Sequence, residues 1–121
     1  MEMIQDTIYK IDKVDLLPVI MEKKQNMWRL VQICCAFADE HYEVTYSFAY
    51  PYGYDIMNYR LVVEKDEEVP SISRVYKAAI LYENEMRELF GLNVTYIKED
   101  MHNKLYRIDA ETPFVDKKED K

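Results

Sequence analysis

Few residues in this chain have the chemistry of a reactive site. Two cysteines, Cys34 and Cys35, are adjacent. Two histidines stand apart, His41 in the turn sequence Asp39-Glu40-His41 and His102 in the polar run Asp100 to Lys104. Three carboxylates, Glu83, Glu85 and Glu88, sit close together. A thiol nucleophile needs a histidine base beside it, and no local signature joins either histidine to the cysteines. Iron–sulfur clusters take four thiolates and structural zinc takes four nitrogen or sulfur ligands, so the pair cannot close such a site. Neighbours on a strand point to opposite faces, which would strain a disulfide between them. The plain expectation is two reduced, buried thiols in a cytoplasmic setting. The carboxylates have the type for acid–base work or metal ligation. Their spacing also fits a solvated helix face, with Glu83 and Arg87 four apart in the orientation that favours an ion pair.

Composition narrows the functional classes. The chain has 121 residues, 16 basic against 23 acidic, and a formal net charge of -7. An acidic balance disfavours a general nucleic-acid binder or a polybasic lipid anchor. Its two glycines, Gly53 and Gly91, are too far apart for a dinucleotide or phosphate cradle. The N-terminal stretch lacks the apolar core of a secretory signal. The apolar run Val31–Ala38 is far short of the roughly 20 residues a membrane span needs. The eleven tyrosines suit sheet packing, and aromatics with a polar tip also suit a subunit interface.

The positioning elements follow from periodicity. Thr7–Ile11 reads as a short strand. A helix is expected over Leu16–Gln25, with Asp15 as its N-cap, Pro18 in its first turn and Lys23 and Lys24 at its end. Period-two alternation predicts strands over Arg29–Phe37, Glu43–Tyr50 and Ile56–Glu64. Their inward sets are Val31, Ile33, Cys35 and Phe37; Val44, Tyr46, Phe48 and Tyr50; and Met57, Tyr59, Leu61 and Val63. Glu64–Glu68 reads as a solvated loop. From Ile72 to Phe90 apolar residues recur in steps of three and four, as one helix or as two broken near Lys77–Ala79. Gly91 is placed to terminate it. Val94–Ile97 is a candidate last strand. These elements predict an α+β domain with an antiparallel-rich sheet of three to five strands and two main helices on one face. The domain is expected over residues 1–108, with a flexible charged tail at 109–121.

The string from Ala78 to Leu92, with Glu83-Asn84-Glu85 and Phe90-Gly91-Leu92 inside it, resembles the A-x-W-x-E-R-E-x-x-D-x-F-G-I segment of the thirty-kilodalton subunit family of respiratory complex I. Val69-Pro70-Ser71-Ile72 is similar to the family's approach to that helix. His102-Asn103-Lys104-Leu105-Tyr106-Arg107-Ile108 is similar to its H-P-D-L-x-R-I-L. Asn84 replaces the family's Arg and Asn103 its Pro. The short, divergent chain looks most like the small member of this family found in Ech-type energy-converting NiFe hydrogenases. The resemblance implies a subunit without a cofactor of its own and without catalysis alone, a component of an oxidoreductase complex. It would pack against a large NiFe-hydrogenase-like subunit, near a small iron–sulfur subunit, with nickel–iron and iron–sulfur centres held by those partners. Ion translocation would belong to membrane subunits, and this chain would sit peripherally on the cytoplasmic face of the membrane. Related settings are formate hydrogenlyase and the corresponding subunit of a complex I-like NADH dehydrogenase; a stand-alone Cys/His enzyme is the alternative from another class. The signature positions carried over are Tyr82, Glu83, Glu85, Arg87, Glu88, Phe90, Gly91, His102 and Arg107.

Overall fold

The computed structural model describes residues 7–96. Strand β1 (Thr7–Ile11) leads into helix α1 (Lys13–Gln25), followed by β2 (Arg29–Ala38), β3 (His41–Ala49) and β4 (Ile56–Glu64). These four strands form one sheet in the order β1-β4-β3-β2. β2, β3 and β4 pair antiparallel, whereas β1 adds to β4 in parallel. Parallel strands cannot be joined by a tight turn, and α1 carries the chain from the β1 edge of the sheet to the β2 edge. Strand β5 (Glu68–Pro70), helix α2 (Ala79–Phe90) and β6 (Asn93–Thr95) complete the described fold, with β5 and β6 paired in parallel. The fold class is α+β, as expected, with four strands in the main sheet.

One face of the sheet makes the core. Tyr42, Val44, Tyr46 and Phe48 of β3 and Tyr59, Leu61 and Val63 of β4 join Leu16 and Ile20 of α1 and Ala79 and Met86 of α2 in a single buried cluster. The alternation in β3 and β4 thus lands on the predicted side, though Tyr50 lies beyond β3 and is exposed. In β2 the prediction fails at one residue. The register slips between Leu30 and Gln32, so Val31 occupies a bulge and is exposed while Leu30 is buried. An extra residue in one strand reverses the facing of everything on one side of it, and Ile33 onward keep the expected side.

Both helices begin elsewhere than expected. Asp12, in extended backbone, precedes α1, and the Asp15 amide donates to the Asp12 carbonyl at 2.9 Å. Asp15 therefore lies in the first turn, where its negative charge complements the positive end of the helix dipole, and Pro18 lies inside the helix. Proline removes the bond to the carbonyl four residues back; that residue, Val14, faces solvent. Residues 72–78 form successive turns instead of helix, with Val75 and Tyr76 amides bonding the Ile72 carbonyl and the Ala79 amide bonding that of Tyr76. The two-piece alternative is the nearer reading, and only its second piece is a helix. Glu68, read as loop, opens β5. Ile97, His102, Arg107 and the 109–121 tail lie outside the described residues.

Candidate functional site

The signature helix turns its polar groups inward. Glu83 is fully buried. Its Oε1 accepts a hydrogen bond from the Ser71 hydroxyl at 2.5 Å and its Oε2 one from the Ile72 amide at 2.8 Å. The Ser71 hydroxyl oxygen in turn takes the Ser73 amide at 3.0 Å and lies 2.7 Å from the Ser73 hydroxyl. The Ser71 amide donates to the Thr95 carbonyl at 2.9 Å. One side chain on α2 thereby fastens the chain that follows β5, and through it β6. Burial pushes the Glu83 carboxyl up to about 7 against the two hydrogen bonds that favour its charged form. The buried Tyr46 is raised too, first by burial and then by the nearby Glu83 charge.

Three further signature residues, Tyr82, Phe90 and Gly91, also spend their groups on this chain. Tyr82 is half-buried and its hydroxyl donates to the Val31 carbonyl at 3.0 Å, at the bulge where the ladder is interrupted. The Phe90 carbonyl accepts the Tyr42 hydroxyl at 2.6 Å, tying the last turn of α2 to β3. Gly91 closes the helix in left-handed backbone, φ 74°, with its amide on the Arg87 carbonyl and the Leu92 amide on that of Met86. Glu88 is buried, while Glu85 and Arg87 are half-buried. The solvated-face reading is thus corrected for Glu83 and Glu88. The partners of Glu83 are a hydroxyl and an amide in place of the expected cation. Asn84 is buried as well, its amide donating back to the Ile80 carbonyl at 2.8 Å, at the position where the resemblance has arginine.

The thiols are less buried than their type suggests. Cys34 is exposed and Cys35 half-buried. Burial, then the neighbouring Cys34, pushes the Cys35 thiol up to about 12, the opposite of an activated nucleophile. His41 pairs with Ala38 in the ladder, and its ring lies 3.1 Å from the Asp39 carbonyl and 3.9 Å from a Glu43 carboxylate oxygen. Among the described residues, no three His, Cys, Asp or Glu side chains gather where they could hold a metal ion, and no helix is long and apolar enough to cross a membrane.

Sequence reading missed two contributors. Ser71 stands in the segment leading to the signature helix but carries no visible role until the fold places it on Glu83. Lys23 reads only as a helix-end cation, yet just 7% of it is exposed. Its ammonium lies 4.4 Å from the Trp28 ring centre, 5.5 Å from that of Tyr59 and 3.2 Å from the Met57 sulfur.

Residues 8–114 match the family of the respiratory-chain NADH dehydrogenase, 30 Kd subunit. The chain belongs to that family. It is accordingly a subunit type of multi-subunit oxidoreductase complexes. The fold is similar to a chain in the structure of the membrane-bound sulfane sulfur reductase (MBS), an archaeal respiratory membrane complex, with a TM-score of 0.80 at 15% identity over 93% of this chain and 69% of that one. No curated protein matches the sequence.

Proposed function

We propose that the chain is an accessory subunit, without a cofactor of its own, of a membrane-bound electron-transfer complex, and specifically of an Ech-type energy-converting NiFe hydrogenase. There it packs against the large catalytic subunit and beside the small iron–sulfur subunit, which hold the nickel–iron and iron–sulfur centres. Membrane association is indirect, on the cytoplasmic face, and ion translocation falls to other subunits. The observation that carries this reading is the inward use of the signature. Glu83, Tyr82 and the Phe90 carbonyl all bind this chain's own backbone or hydroxyls. A motif spent on holding α2 against the sheet and the β5–β6 pair preserves a shape for partners to fit.

Affinity purification of the tagged chain from its native host tests the proposal. Recovery of a NiFe-hydrogenase-type large subunit supports it. Recovery of a quinone-reducing, complex I-type large subunit instead would establish the complex I-like alternative. Turnover or a tightly bound metal or flavin in the lone chain would overturn the accessory role. Substituting Glu85→Ala in the same preparation asks whether the half-buried carboxylate serves assembly; unchanged recovery and stability remove it from the interface.

A further inference from the structure

At one end of the sheet, two open concavities meet. The first, about 490 Å³, is bounded by Lys24, Trp28, Tyr76 and Lys77 among others. The second, about 550 Å³, lies under the β3–β4 turn, against Tyr50, Tyr54 and Ile56. Met27 and Arg29 line both. Tyr52 and Tyr54, 74% and 86% exposed, stand at the turn. In a chain of net charge -7, the described residues that line the first concavity include three cations, Lys24, Arg29 and Lys77, and no acid; among the described residues Asp55 is the one acid lining the second. None of the three cations is in an ion pair among the described residues. Lys24 lies 5.1 Å from the Tyr76 ring centre.

Met27 adds a second, independent observation. It takes left-handed backbone, φ 66°, just past the end of α1, where glycine is favoured because a Cβ is strained there. Its side chain lines both concavities at 57% exposure, with the sulfur 3.9 Å from the Tyr52 hydroxyl, so a strained backbone presents a thioether and a tyrosine together at the groove.

We propose that this joined groove is the docking site for an extended acidic segment of a neighbouring subunit. Its carboxylates meet Lys24, Arg29 and Lys77, and an apolar side chain packs on Met27 between the tyrosines. Charge complementarity selects this occupant: an acidic peptide neutralises cations that have no acidic partner among the described residues, on an otherwise repelling surface. The inference rests on the proposed function only in taking the segment from a neighbouring subunit.

The test is zero-length carbodiimide coupling, which joins a lysine amine to a carboxylate, applied to the complex purified through the tagged chain and read by mass spectrometry. The expected result is that Lys24 or Lys77 couples to Asp or Glu within one acidic segment of another subunit. Met27→Gly should lower recovery of that subunit about fivefold while the thermal midpoint of the tagged chain stays level or rises. Raising salt from about 50 to 300 mM should weaken the association of parent and variant by the same factor, because both keep Lys24, Arg29 and Lys77; an association indifferent to salt overturns the charge pairing. Coupling only to carboxylates of this same sequence, no coupling at either lysine, or unchanged recovery with Met27→Gly overturns the proposal. Coupling to an acidic segment in a complex lacking a hydrogenase-type subunit would retain the groove and refute the hydrogenase assignment. The reverse result would do the opposite.

Discussion

Helix α1 carries Lys23 into the protein and helix α2 carries Glu83 and Glu88, and the charges of Lys23 and Glu83 are accommodated differently. On α1 the Lys23 ammonium rests against Trp28, Tyr59 and the Met57 sulfur. No carboxylate pairs with it among the described residues. On α2 the Glu83 carboxylate is met by directional donors, the Ser71 hydroxyl and the Ile72 amide. Aromatic faces attract a cation over a broad range of positions, so the Lys23 site tolerates small shifts. A carboxylate held by two short bonds fixes the geometry of both donors. The comparison teaches that α1 is held mainly by packing, whereas α2 is also clamped to the segment before it.

The helix ends differ in the same spirit. Both close with left-handed backbone and with amides that bond back into the last turn. At α2 this residue is Gly91, where the conformation is free of Cβ strain; at α1 it is Met27, where it is not.

The sharpest break of this comparison is Glu83→Ala. It leaves a buried amide and hydroxyl without their acceptor and opens a cavity, and should cost about 3 kcal/mol in urea unfolding at pH 6. A loss under about 1 kcal/mol would show that α2 is not clamped. A comparable effect is expected from pH alone. The Glu83 carboxyl binds its proton more tightly folded, near 7, than unfolded, near its ordinary 4.5. Its burial penalty is therefore absent below about pH 4.5, grows as pH rises to 7, and is complete above it. Stability should fall across that window by up to about 3 kcal/mol, at ~1.4 kcal/mol per pH unit. Glu83→Gln should flatten this slope, and a slope that survives the substitution would assign it to another group.

Lys23→Met sharpens the other side. It removes the cation–π attraction together with the desolvation of the ammonium, so the change should stay within about 1 kcal/mol. A loss near that of Glu83→Ala would mean that the lysine is held as tightly as the glutamate. The helix ends give the smallest effects, of opposite sign. Gly91→Ala should destabilise by about 1 kcal/mol, and Met27→Gly should stabilise by ~0.5 kcal/mol. Loss of stability with Met27→Gly would mean that the methionine side chain serves the fold itself.

The legible parts of this protein are those whose physics is local. Alternation in β3 and β4 marks the inward face because every second side chain of a half-buried strand must be apolar. Gly91 announces the end of α2 because left-handed backbone favours glycine. The illegible parts depend on residues distant in sequence. The bulge at Val31 adds one residue without disturbing the apolar run, so the alternation still looks continuous through it. Strand β5 is too short and too acidic to show a period, and it exists because β6 pairs with it. The apolar stripe through 72–76 mimics a helix, yet its backbone is spent on turns that bring Ser71 and Ile72 to Glu83. The signature itself is visible in the sequence, but not that it faces inward.

By itself the sequence determined the fold class, the strands of the main sheet, the end of α2 and the family signature, since propensity, periodicity and motif act over a few neighbouring residues. Only the tertiary structure decided which charges are buried, what satisfies them and that Lys24, Arg29 and Lys77 gather around Met27. Those outcomes depend on desolvation, and desolvation is set by whichever distant segment packs on top.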